Sequence, residues 1–207
     1  MSLLKPNRPS LSRNLTRRSI IAAATGLAAS AAGGNYARAQ MSTDDLPDAA
    51  TGISEIMPST APVLKFTDVN GAAQSLTTYR GSGLVLNVWA TWCGPCVAEI
   101  PSFNAIAPKL AASKILILPI SVDDSGAKAV RPFYQTHNIT NLPILLDPTG
   151  NAPAILDSDG IPITLLIDPA GRIVARLEGG ANWNTPRTLS LITQLIGTKP
   201  AGNVRPV

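Results

Sequence analysis

Cys93 and Cys96 are the two cysteines of a 207-residue chain, separated by Gly94 and Pro95. A disulfide across so short a loop is a poor staple. Its entropic gain lies well below the ~3 kcal/mol of a 15-residue loop. The spacing suits a switch instead, because the second thiol reaches the first without rearranging the fold. Gly94 permits a tight turn, and Pro95 fits a helical first turn, where its missing N–H is not needed. Cys93 is therefore expected at a helix N-terminus, where free amides and the macrodipole favour the thiolate. Thiolate is the attacking species, so Cys93 should be the nucleophile and Cys96, one turn in and buried, the resolving thiol. Three other uses of the pair stay open. Zinc needs four ligands, and beyond the cysteines the chain offers the single histidine His137 and no second C-x-x-C. A copper-transfer pair would need methionine or histidine support, yet Met41 and Met57 lie far from the cysteines in sequence. The third use is a purely structural disulfide.

The elements that must position these thiols can be read around them. Leu84 to Ala90 is apolar apart from Asn87, as expected of a central strand buried on both faces. A helix should run from Pro95 toward Leu110, with Val97, Ile100, Phe103, Ile106 and Leu110 on one face. Pro101 and Pro108 are expected to interrupt and kink it. Glu99 falls three residues after Cys96, on the same helical face. Upstream, Asp68-Val69-Asn70-Gly71 separates two short apolar runs and signals a hairpin. Downstream come a strand (115–122), a helix (126–137) ending at a capping or surface His137, a strand and turn (142–150) and a short helix or turn (151–158). A strand opened by Pro162 follows, then Arg172 to Leu177 as the last strand of a hairpin. Thr185 can cap a final helix through Ile196, with Pro186 at its first position and Leu189, Ile192 and Ile196 facing the sheet. There are no repeats, no Gly-rich phosphate loop and no Ser-His-Asp arrangement.

An apolar strand running into Trp92-Cys93-Gly94-Pro95-Cys96 resembles the thioredoxin superfamily. Glu99 and Pro101 narrow the resemblance to the extracytoplasmic TlpA/ResA-like thiol-disulfide oxidoreductases. Ile161-Pro162 and Leu145-Leu146-Asp147-Pro148 belong to the same resemblance, which covers roughly residues 60–197; the stretch around Trp183 also recurs there. It implies an α/β, thioredoxin-like fold: a central mixed sheet flanked by helices, with an N-terminal β-hairpin and a mid-domain insertion. It implies that Glu99, rather than a strand acid at the Asn87 position, assists deprotonation of Cys96, the group titrating as a unit. It also implies a cis bond before Pro162, and a client strand lying along the Ile161 backbone in a groove shaped by Trp92, Pro95, Ile161 and Pro162. No cofactor is expected beyond a redox-active Cys93–Cys96 disulfide, and no metal. The implied activity is protein-disulfide reduction, with a DsbA-like oxidant as the competing direction. Expected partners are client disulfides, in apocytochrome c or copper-assembly factors, and a membrane electron donor of the DsbD/CcdA type. A monomer is expected.

Charge and address complete the reading. The net charge of +4 would suggest a polyanion partner until the charges are located. Lys5, Arg8, Arg13, Arg17, Arg18 and Arg38 precede residue 40 and no acid does, leaving 11 basic against 13 acidic residues in the remainder. No nucleic-acid partner is implied. Arg17-Arg18, an Ala/Gly-rich run and Ala37-Arg38-Ala39 compose a secretory signal resembling the twin-arginine (Tat) type, over residues 1–39. That places the protein in the periplasm, anchored if the signal stays uncleaved. Residues 40–60 read as a flexible linker, 61–197 as the thioredoxin-like domain and 198–207 as a tail.

Overall fold

The computed structural model describes residues 41–197, so the expected signal segment and tail lie outside the described residues. A 3-10 turn at Thr43–Asp45 and the short helix α1 (Ala49–Gly52) lead into strand β1 (Ser54–Thr60). The hairpin β2 (Lys65–Asp68) and β3 (Ala73–Ser75) is followed by β4 (Gly83–Trp89) and the long helix α2 (Gly94–Ala111). Then come β5 (Ile115–Ser121), α3 (Ala127–Thr136), the two-residue β6 (Leu145–Leu146) and α4 (Ala152–Ile155). The chain closes through β7 (Ile163–Ile167), β8 (Arg172–Glu178) and α5 (Pro186–Ile196).

The strands form one mixed sheet in the order β1-β8-β7-β4-β5-β6-β2-β3. β4 runs parallel to β5 and antiparallel to β7, and all seven of its residues are buried. Burial of a large apolar side chain stabilises by about 1.5–3 kcal/mol, so Leu84, Val85, Leu86 and Val88 hold this strand firmly at the centre. Its C-terminal end is the mount for the cysteine turn. The hairpin forms at the expected place, where the Asp68 carboxylate accepts the Asn70 and Ala72 amides at 2.8 and 2.9 Å. It joins the sheet through β2 and β6. At the far end Thr185 accepts the Thr188 amide at 3.1 Å and starts α5, whose Ile192 and Ile196 are buried.

Two expectations need correction. Residues 41–60 are not an unstructured linker: β1 pairs antiparallel with β8 and becomes one edge of the sheet. The strand is invisible to periodicity because six of its seven residues are exposed, so nothing alternates. It also carries the edge-protecting features of such strands, a proline at 58 and a register irregularity between Glu55 and Ser59. Ahead of it, Asp48 accepts bonds from Ala50 N, Thr185 Oγ1 and Thr188 Oγ1, which bind α1 to the start of α5. The Asn182 amide donates to the Pro47 carbonyl at 2.8 Å, and the Ala49 amide to the Asn182 carbonyl at 3.0 Å. The segment is a strap across the chain that follows β8.

The second correction concerns α2, which runs unbroken through both prolines. Pro108 cannot donate to the carbonyl of Asn104, four residues back. Asn141 supplies the missing donor: its side-chain amide reaches the Asn104 carbonyl at 3.1 Å. The Asn104 side chain in turn accepts the Thr140 and Asn141 amides at 3.0 and 2.8 Å. The inner faces of α2 bury Cys96, Glu99, Ile100, Ser102, Phe103, Ile106 and Leu110, whereas Val97 is only half-buried.

Candidate active site

The cysteine turn sits where β4 hands over to α2. Cys93 is the N-cap of α2 with Pro95 in the first turn, and Cys93 and Cys96 are joined by a disulfide. Cys96 is wholly enclosed while Cys93 retains 7% exposure. An incoming group therefore meets Cys93 first. The Cys96 amide points at the Cys93 sulfur at 3.4 Å, one of the free N–H groups that would support a thiolate there.

The approach to the turn is clamped from below. The Thr91 amide and hydroxyl donate to the two Asp123 carboxylate oxygens at 3.0 and 2.6 Å, and Ser121 adds a third bond at 2.8 Å. Asp123 is buried and holds the loop between β4 and Cys93 to the end of β5. Sequence reasoning missed it; the only sequence signal was an acid ending a buried strand.

The expected groove residues gather around Cys93. The bond between Ile161 and Pro162 is cis. The Ile161 carbonyl oxygen lies 3.7 Å from the Cys93 sulfur. In the disulfide that sulfur has no proton to give, so this is proximity rather than a hydrogen bond. Trp92 is 70% exposed beside it, Pro95 and Ile161 are half-buried and Pro162 is buried. The chain after β8 packs against Pro95. A Cβ on Gly180 would stand 2.9 Å from Pro95 Cβ and 3.0 Å from its carbonyl oxygen, so only glycine lets this loop lie against the turn.

Glu99 is fully buried on the inner side of α2. Asn87 Nδ2 donates to Oε1 at 2.9 Å, and on the other side Trp183 Nε1 and the Ala181 amide donate to Oε2 at 3.1 and 3.3 Å. Asn87 Nδ2 also reaches Thr164 Oγ1 on β7 at 3.0 Å, while its Oδ1 is buried without a partner. Burial strips the carboxylate of water and pushes its pKa up to about 8. The bonds from Trp183, Asn87 and Ala181 hold it down against that larger effect. The result is an acid that ionises near pH 8 one helical turn from Cys96, with no charged partner among its bonded neighbours. His137, at the C-cap of α3, is exposed and lies tilted against Phe133 with ring centroids 4.2 Å apart and planes 30° from parallel. Among the described residues no cluster of three or more His, Cys, Asp or Glu is placed to hold a metal.

A profile of the AhpC/TSA family matches residues 58–176, more than half the chain. The chain belongs to the AhpC/TSA family. Among curated relatives, the thiol-disulfide oxidoreductase ResA of Geobacillus thermodenitrificans is 33% identical over 121 residues, covering 58% of this chain and 68% of that protein. ResA of Bacillus thuringiensis is 29% identical over 119 residues, with the same two coverages. Among solved structures, a candidate thiol:disulfide interchange protein DsbE from Chlorobium tepidum superposes with a TM-score of 0.57 at 25% identity, over 69% of this chain and 96% of its own. A candidate thiol-disulfide oxidoreductase from Bacteroides vulgatus gives 0.57 at 26%, over 68% and 97%. This AhpC/TSA protein is thus a ResA-like thiol-disulfide oxidoreductase with the thioredoxin-like fold expected from its sequence.

Proposed function

We propose that the protein works in the reducing direction outside the cytoplasm, delivering two electrons to disulfides of client proteins. The observation that carries this is the pairing of Cys93, the more accessible of the two thiols, with an enclosed Cys96 and, on the same helix, a buried Glu99 whose carboxyl ionises near pH 8. In the reduced enzyme the Cys93 thiolate attacks one client sulfur. A mixed disulfide forms, and one client thiolate leaves. The ionised fraction of Glu99, which grows as pH approaches 8, takes the Cys96 proton; the resulting thiolate attacks the Cys93 sulfur, closing the Cys93–Cys96 disulfide and expelling the second client thiolate. One client thiolate takes the Cys96 proton by way of Glu99, and the other takes from water the proton that Cys93 gave up on ionising. The client strand lies along Ile161 and Pro162, between Trp92 and Pro95.

The Arg17-Arg18 signal supports export to the periplasm by the Tat route. Apocytochrome c or copper-site assembly factors of cytochrome oxidase are the clients we favour, with re-reduction by a membrane donor of the DsbD/CcdA type and with the enzyme acting as a monomer. The test is a Cys96→Ser protein expressed in its own periplasm. It should accumulate a mixed disulfide through Cys93 that dithiothreitol releases, and the attached protein names the client. Recovery of only the free monomer, with Cys93→Ser still supporting client reduction, would refute the exchange mechanism.

A further inference from the structure

Trp183 lies outside the matched family region and outside the cysteine turn, yet its indole N–H touches Glu99, one helical turn after Cys96. Three contacts fix its position. Its ring stacks on Phe103 with centroids 4.7 Å apart and planes 23° from parallel. Its amide donates to Ser102 Oγ at 3.1 Å, and that hydroxyl donates to the Glu99 carbonyl at 2.7 Å. Glu99, Ser102 and Phe103 are spaced three and four apart, so one face of α2 carries both the acid and the two groups that seat the indole. A packing role alone would not require the N–H to be aimed. The contrast is within the same core: Trp89 is equally buried, and its Nε1 has no partner.

We propose that Trp183 is a positioning residue for the redox reaction, holding the Glu99 carboxyl through its indole N–H and so setting the pH at which that carboxyl exchanges its proton with Cys96. The groups facing the carboxyl are Asn87 from β4, with Thr164 of β7 behind it, and Ala181 and Trp183 from the loop after β8. None of these carries a charge. On the strap, the Asp48 carboxylate is taken up by Ala50, Thr185 and Thr188. Cys96, one turn back on α2, is the remaining titratable group. An N–H donated to a carboxylate stabilises the ionised form more than the protonated one. Losing it should therefore raise the proton affinity of Glu99.

The proposal rests on the role given to Glu99 above, and the two can be tested apart. In the disulfide form neither cysteine titrates, so Glu99 can be followed alone by its carboxyl carbon resonance. Trp183→Phe, which keeps a stacking ring and removes the N–H, should move the Glu99 midpoint up by about one pH unit or more, since the lost donor favours the ionised carboxylate over its protonated form. In the reduced protein the pH profile of thiol alkylation should shift the same way, and in a Glu99→Gln background Trp183→Phe should shift nothing. Ser102→Ala, a milder release of the indole, should give a smaller shift of the same sign and serves if the first variant does not fold. An unchanged midpoint in a folded variant overturns the proposal. A shifted midpoint with an alkylation profile indifferent to Glu99→Gln would overturn instead the role of Glu99.

Discussion

At the scale of single residues, the informative one is Glu99. Its spacing from Cys96 placed it on the right helical face, but spacing carries no information on what surrounds a side chain. Its donors arrive from 12, 82 and 84 residues away in the chain, so only the fold brings them together. The cysteines, by contrast, were legible because their chemistry is local: two thiols, a turn and a helix start within four residues. The raised pKa of Glu99 has a measurable cost. The unfolded carboxyl ionises near 4.5, the folded one near 8. Between these values folding must take up a proton, so the contribution of this group falls as pH rises, by up to ~1.4 kcal/mol per pH unit. It is level below and above that window. Denaturant midpoints measured across the window should show this decline, and Glu99→Gln should flatten it. In that variant the Asn87 amide can turn over so that Oδ1 accepts from the new side-chain amide, at the expense of its present Nδ2 bond to Thr164. A slope that survives in Glu99→Gln would assign the titration to another group.

At the scale of elements, α2 and β1 fail sequence reasoning for opposite reasons. Prolines 101 and 108 are local signals that argue for a break, and tertiary contacts overrule them. The Asn104 carbonyl loses its helical donor to Pro108 and receives one from Asn141, a residue 37 positions away. Asn141→Ala should therefore destabilise the protein by about 1 kcal/mol, read as a lower denaturant midpoint; a neutral effect would mean that water replaces the amide fully. β1 has no local signal at all, since an edge strand exposed on both faces needs no apolar alternation. Its pairing with β8 comes from backbone bonds, which the sequence does not write down. α5 was legible because its cap, its first-turn proline and its buried Ile192 and Ile196 all lie within the element.

At the scale of the whole molecule, the eight-stranded sheet keeps the cysteine turn and the Ile161-Pro162 bond together at one end, since β4 and β7 are neighbours. The family match, residues 58–176, contains both cysteines, Asn87, Glu99, Ile161 and Pro162. It contains neither of the donors to Glu99 Oε2, nor the strap whose Pro47 and Ala49 pair with Asn182 between them. A protein shortened to begin at Ile53 should keep its disulfide and its fold but melt at lower temperature, and its Glu99 midpoint should move upward as Ala181 and Trp183 loosen; identical midpoints would make the strap a stability element only. The thiols and their acid lie inside the matched region, whereas Ala181, Trp183 and the strap that touch or brace the acid lie outside it. Relatives with the same core and different margins are then expected to work best at different pH values, and exchanging residues 41–57 and 177–197 between two of them should carry the optimum along.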